Sequence, residues 1–194
     1  MNGGNKIYIY KDGFGDVYNA TLAEEAEWAQ EVIERALGAI DSNINPASFK
    51  GAIDSLLLHN YPDLEALLLK KLDDPSPLRQ VLFATALWRV YQHEQSFDIL
   101  LYHVQRRSEC LSDIFLSLED FKNNTAAKKF ILACIEGDDE ILFAKANMTI
   151  NMWAYSGIPA LRENNLLEML RPENKNKESF KTAIRQLKNI LGEN

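Results

Sequence analysis

Polar corners interrupt the apolar helical pattern of this chain near Asp41, Asp73, Gln105, Gly137 and Arg171, at intervals of 32, 32, 32 and 34 residues. Such spacing marks a stack whose unit is a helix, a polar corner and a second helix, none able to bury its apolar face alone. The corner Asp73-Asp74-Pro75-Ser76-Pro77-Leu78-Arg79 shows why the pattern stops and restarts. Pro75 and Pro77 cannot continue the incoming helix, yet proline fits the first turn of an outgoing one. Asp73, Asp74 and Ser76 stand where they can accept bonds from amides at the new helix start. Arg79 stands where it can bond the corner carboxylates or carbonyls.

The punctuation divides the chain into helices over 21–40, 47–59, 64–72, 77–91, 96–104, 109–121, 126–135, 140–155, 160–170 and 177–191. Thr21 followed by Glu24 has capping-box spacing. Behind it, Leu22, Ala26, Ala29, Val32, Ile33, Ala36, Leu37 and Ile40 form an apolar face, and Glu24, Glu27, Glu31 and Glu34 a solvated acidic one. Residues 6–18 alternate isoleucine and tyrosine around Asp12-Gly13, which predicts a β-hairpin. A two-stranded ribbon needs support, so its aromatic residues are expected to cover the open end of the stack rather than bind a peptide by strand addition. The chain reads as a single domain over 1–194. The hairpin and the helix at 21–40 form the N-terminal cap, and helical repeats fill 41–191.

Composition narrows the class. A hydrophobic fraction of 46% and a charged fraction of 25% suit a soluble globular protein. No apolar run approaches the roughly 20 residues of a membrane span, and the first residues lack the apolar core of a secretion signal, so a cytoplasmic location is expected. Cys110 and Cys134 both lie in apolar helical patterns, which predicts buried reduced thiols. The net charge of −7 disfavours nucleic acid and anionic membranes. It is uneven: residues 171–194 carry +3 and the remainder −10.

The run L-x-x-x-L-D-D-P-S-P-L-R, followed by V-L-F-A-T-A-L-W, resembles a HEAT-like (armadillo-type) repeat over residues 64–90. The resemblance implies an all-α, right-handed superhelix of helix pairs whose second helices line a concave face, and it implies no reaction. Other corners depart from the motif. Glu136-Gly137-Asp138-Asp139 keeps the acids without an equivalent arginine, Arg106-Arg107 stand where Asp-Pro would, and Arg171-Pro172-Glu173 keeps the proline alone.

Catalytic and metal signatures are sparse. Gly13-Phe14-Gly15 lacks the remaining features of a phosphate loop. His59, His93 and His103 form no ligand pair at metal spacing, and the single His93-Glu94 dipeptide cannot supply the several such dipeptides that HEAT-like iron hydroxylases carry. No catalytic residue, metal or cofactor is assigned. A HEAT-like DNA-repair glycosylase is the alternative reading, but its basic groove is not matched by an acidic body in which Trp28, Trp88 and Trp153 are scattered. The basic stripe Lys177, Lys181, Arg185, Lys188 reads as a solvated end cap.

The candidate binding residues lie on two second helices. Asn147, Asn151 and Tyr155 share a face at i, i+4, i+8; Arg79, Trp88, Arg89 and Tyr91 come from the best-matched repeat. The expected function is a non-catalytic protein-binding scaffold or adaptor. An inhibitor or immunity-type protein that masks a basic partner is the specific subclass.

Overall fold

The computed structural model describes residues 6–11, 14–19, 21–42 and 45–192. The chain divides into two compact units, residues 1–64 and 65–194.

In the first unit, β1 (Lys6–Lys11) and β2 (Phe14–Asn19) pair antiparallel, with Ile7 opposite Tyr18 and Ile9 opposite Asp16. The Asp12-Gly13 turn and the covering role expected of the ribbon's aromatic residues lie outside the described residues. Every other regular element described is helical. Helix α1 (Leu22–Ser42) opens as its capping box requires: the Glu24 carboxylate accepts from the Thr21 amide at 2.8 Å, and Thr21 Oγ1 accepts from the Glu24 amide at 3.3 Å. It buries only Ala36 and Ile40 near its C-terminal end. There it packs on α2 (Pro46–Leu58), whose Asn45 cap accepts from the amides of Ala47 and Ser48. Phe49, Ala52, Ile53 and Leu56 are the buried face of α2.

The second unit begins within α3 (Leu64–Lys70), which a 3-10 turn over Lys71–Asp73 closes. There follow α4 (Pro77–Tyr91), α5 (Gln95–Gln105), α6 (Leu111–Ser117), α7 (Thr125–Glu136), α8 (Glu140–Ser156), α9 (Leu166–Met169) and α10 (Glu178–Leu191). Helix α4 packs on α5 and α6, α6 on α8, α8 on α7, and α10 on α7 and α9. Phe115, Phe121, Ile131, Ile150, Trp153, Leu161 and Leu187 lie in one continuous core.

Several polar side chains in this unit reach partners 32 to 35 residues away. Trp88 Nε1 donates to the Asp120 carbonyl at 2.9 Å and Trp153 Nε1 to the Leu118 carbonyl at 2.7 Å. Thr149 Oγ1 donates to the Phe115 carbonyl at 3.0 Å, and Lys145 Nζ to Ser112 Oγ at 2.8 Å. All four meet α6 or the turns just beyond it. Backbone amides of the turns that follow meet the Ile114, Leu116, Ser117 and Leu118 carbonyls, and side chains from α4 and α8 add donors at Phe115, Leu118 and Asp120. Two of the three tryptophans that look scattered in sequence, Trp88 and Trp153, therefore converge on the turns that follow α6.

The corners are joined in the same manner. Arg107 pairs with Asp139, 32 residues on, and Lys175 Nζ donates to the Gly137 carbonyl at 2.5 Å while standing 3.6 Å from the Asp138 carboxylate. Corner 137–139 is thus held from both flanking corners, and the arginine missing from its own motif comes from the preceding one. The Asp74 corner closes on itself. Asp74 accepts from Arg79 Nε at 2.7 Å and from the Ser76 amide at 2.9 Å, as expected; the Ser76 hydroxyl, nominated as a cap, makes no capping bond. Partial burial pushes the Asp74 carboxyl up, but the Arg79 and Ser76 bonds outweigh it and hold it below its ordinary range.

Two predicted helices are corrected. Residues 160–170 form a 3-10 segment, Pro159–Asn165, and then only the four residues of α9. Glu163 is extended, and Asn164 and Asn165 are both left-handed, at φ 53° and 56°. Asparagine tolerates that region better than other non-glycine residues, so the pair breaks the helix. The span 109–121 likewise shortens to α6, with the remainder in turns.

Two outcomes follow from these bonds. Trp153→Phe removes the indole donor and opens space in the core, and is expected to cost about 2–3 kcal/mol in urea unfolding. The second concerns the buried His103. Gln80 Nε2 donates to the Asp74 carbonyl, so its Oε1 is the acceptor, and His103 Nε2 must donate to it at 2.7 Å. Burial, and then nearby Arg106, push the imidazole below its ordinary value of 6.5. The unfolded chain therefore takes up a proton that the folded one refuses as pH falls below about 6.5. Stability is full above that pH and declines beneath it, so Tm should drop between about pH 7.5 and 5.5. His103→Gln should flatten that slope.

Candidate functional site

Helix α8 carries the most exposed large apolar side chains of the second unit. Asp139 caps its start by accepting from the Leu142 amide at 2.9 Å. Below the cap, Phe143, Ala146, Ile150, Trp153 and Ala154 turn into the core. The opposite side is not polar. Ile141 is 59% exposed and Tyr155 74%, with half-buried Met148 and Met152 between them. Positions 141, 148, 152 and 155 advance by seven, four and three residues and so share one helical face. Lys145, on the same face, bonds Ser112 of α6, which brings Leu116, one turn further along α6 and 49% exposed, to the edge of this strip. The Arg162 guanidinium lies over the Tyr155 ring at 5.5 Å, presenting a cation and an aromatic side chain together.

The residues nominated from sequence separate into two groups. Tyr155 and Asn151 are exposed; the Asn151 amide turns back to the Asn147 carbonyl of its own helix at 2.8 Å. Asn147 is half-buried, and its Nδ2 donates to the Leu170 carbonyl at 3.2 Å, tying α8 to the end of α9. Tyr91 lies at the exposed end of α4, and Arg89 is half-buried. Arg79 and Trp88 are 9% and 6% exposed. Arg79 closes its corner, and Trp88 stacks on Phe121 with ring centroids 5.1 Å apart. Those two are interior residues and offer no binding surface. Ile141, Met148, Met152 and Leu116 are apolar residues at helical spacing, which in sequence reads as core. In the structure Ile141 and Leu116 are exposed and Met152 is half-buried, while Met148 packs against the core.

A groove of about 490 Å³ lies along α10, lined by Glu136, Lys175, Asn176, Phe180, Lys181, Ile184, Arg185 and Lys188. Its floor is Phe180 and Ile184, two of the residues that α10 sets into the core. Its walls carry four cations and one carboxylate. Lys188 pairs with Glu136 at 2.6 Å, whereas Lys181 and Arg185 share a single acid, Glu178, at 3.3 and 3.1 Å. Three of these cations belong to the stripe that reads as a solvated cap in the sequence. In the structure they edge a concave surface with an apolar floor.

Both thiols are buried and unpaired. Burial, and then Asp139, push Cys134 up to about 12, so it is a poor nucleophile at neutral pH. Among the described residues no helix is long and apolar enough to cross a membrane. No family model matches this chain, and no curated protein or solved structure matches it.

The two asparagines should respond differently to truncation. Asn147→Ala removes a bond between elements and should cost about 1 kcal/mol. Asn151→Ala, on an exposed helix position, should stay within about 0.5 kcal/mol of wild type, as thermal or urea unfolding will show.

Proposed function

We propose that this chain is a HEAT-like helical-repeat protein that acts as a non-catalytic protein-binding module, with α8 and the adjoining edge of α6 as its recognition surface. The observation that carries the reading is the set of bonds spaced 32 to 35 residues apart. Trp88, Arg107, Lys145, Thr149 and Trp153 each reach one sequence period away, which is the pattern that stacked helix pairs produce. Such a stack is rigid across its pairs and presents one helix of each pair in a row, an arrangement suited to shape recognition. The strip from Ile141 to Tyr155 supplies the apolar and aromatic anchors that dominate interface energetics, with Arg162 beside Tyr155 as a further anchor type. Asn151 and Lys145 provide polar contacts at its rim.

The partner is expected to be a folded protein with a complementary apolar ridge. To test this, a photo-crosslinking residue is placed at Tyr155 and, as a control, at exposed Ala126 on α7, in cells of the source organism. A discrete protein adduct formed from position 155 and absent from position 126 supports the reading. Adducts to nucleic acid, or identical adducts from both positions, sink it.

A further inference from the structure

We infer that the groove along α10 receives helix α1 of a second copy of this chain, so that the protein associates head to tail. Both surfaces are exposed in the same molecule, and their charges are opposite. The groove is edged by Lys181, Arg185 and Lys188, at i, i+4 and i+7 along α10. Helix α1 carries Glu27, Glu31 and Glu34, also at i, i+4 and i+7, and all three are exposed. The two rows have the same spacing and the same length, roughly 10 Å at the rise of an α-helix. Laid parallel, Glu27 meets Lys181, Glu31 meets Arg185 and Glu34 meets Lys188.

The apolar residues agree with that direction. On α1, Trp28 and Val32 each follow a glutamate of the row by one position, and both are only half-buried. On α10, Phe180 and Ile184 each precede a cation of the row by one position and floor the groove. A step of +1 on one helix and −1 on a parallel helix facing it rotate to the same side of the pair. The apolar rows therefore meet when the charged rows do; an antiparallel arrangement breaks the spacing match. The first two turns and more of α1 also stand unburied, with Leu22 84% exposed and no buried residue before Ala36. Charge complementarity between two surfaces of one molecule commits the occupant to a second copy.

The contact is heterologous: the two patches differ, so one copy leaves a groove and an α1 still unmatched for the next. Exposed ion pairs are individually weak and screened by salt, so association should appear at high protein concentration and low ionic strength.

Sedimentation velocity on the purified full chain tests this at roughly 20 mM and 500 mM salt, on either side of strong screening. At low salt the average mass should rise with concentration to at least about twice the monomer, and at high salt return to 22.1 kDa. E27K/E31K and K181E/R185E should each remain monomeric, with circular dichroism confirming the helices. Their equimolar mixture should associate again, because each reversed surface then faces a complementary one. If a reversed variant does not fold, the corresponding glutamine pair replaces it and should likewise abolish association. A monomer at every concentration and salt overturns the inference. So does association that survives either substitution pair, or a mixture of the folded reversed variants that stays monomeric.

Discussion

Two indole N–H groups fix the middle of the second unit. Helix α6 spans only seven residues, so much of its length consists of ends; the amides of Leu118, Glu119 and Asp120 meet the Ile114, Leu116 and Ser117 carbonyls, and the Thr149 hydroxyl meets that of Phe115. Trp88 from α4 and Trp153 from α8 donate to the Asp120 and Leu118 carbonyls. Each brings a large apolar ring with its donor, so one side chain satisfies a polar group and fills the core beside it. The Leu118 carbonyl also accepts from the Phe121 amide, so Trp153 gives it a second donor, whereas Trp88 is the donor that meets the Asp120 carbonyl. Helices α4 and α8 are positioned through this shared attachment, and the exposed strip on α8 is positioned with them.

The corners follow the same logic at the surface. Arg107 occupies a left-handed conformation, φ 52°, which costs an ordinary residue energy. That conformation turns the chain beyond α5, and the side chain pairs with Asp139 of the next corner. Lys175 grips the same corner from the other side. The corners are therefore complementary to their neighbours rather than copies of one another. For that reason a motif sought within each corner is found intact only at Asp74–Arg79, where both partners lie in the same turn.

Much of the helical architecture was legible in the residues. Proline, asparagine and aspartate at the corners act through local chemistry, and the helices at 77–91, 125–136, 140–156 and 178–191 lie within a residue or two of the spans the sequence predicts. The failure at 160–170 is also local: Asn164 and Asn165 carry the break, but their left-handed geometry is a tolerance and not a requirement of the residue type. The candidate surfaces were less legible. Arg79 and Trp88 have the chemistry of interface anchors, yet the same long donors serve the interior once a neighbouring carboxylate or carbonyl is within reach. Conversely, Ile141 and Met152 have the chemistry of core residues and lie outside because α8 has another helix on only some of its sides. Residue type sets what a side chain can do; the neighbour thirty-odd positions away decides which of these it does.

Gly157 shows how closely that neighbour can constrain composition. The Lys122 stem crosses the backbone there, so a Cβ at 157 would stand 2.7 Å from the lysine Cε. The lysine ammonium goes on to bond the Ser156 carbonyl at 3.0 Å, just where α8 ends. A side chain at 157 would have to push that lysine aside and unfasten the helix end. The space above this glycine is reserved for another residue's aliphatic chain, so at this point the absence of a side chain is itself a packing element.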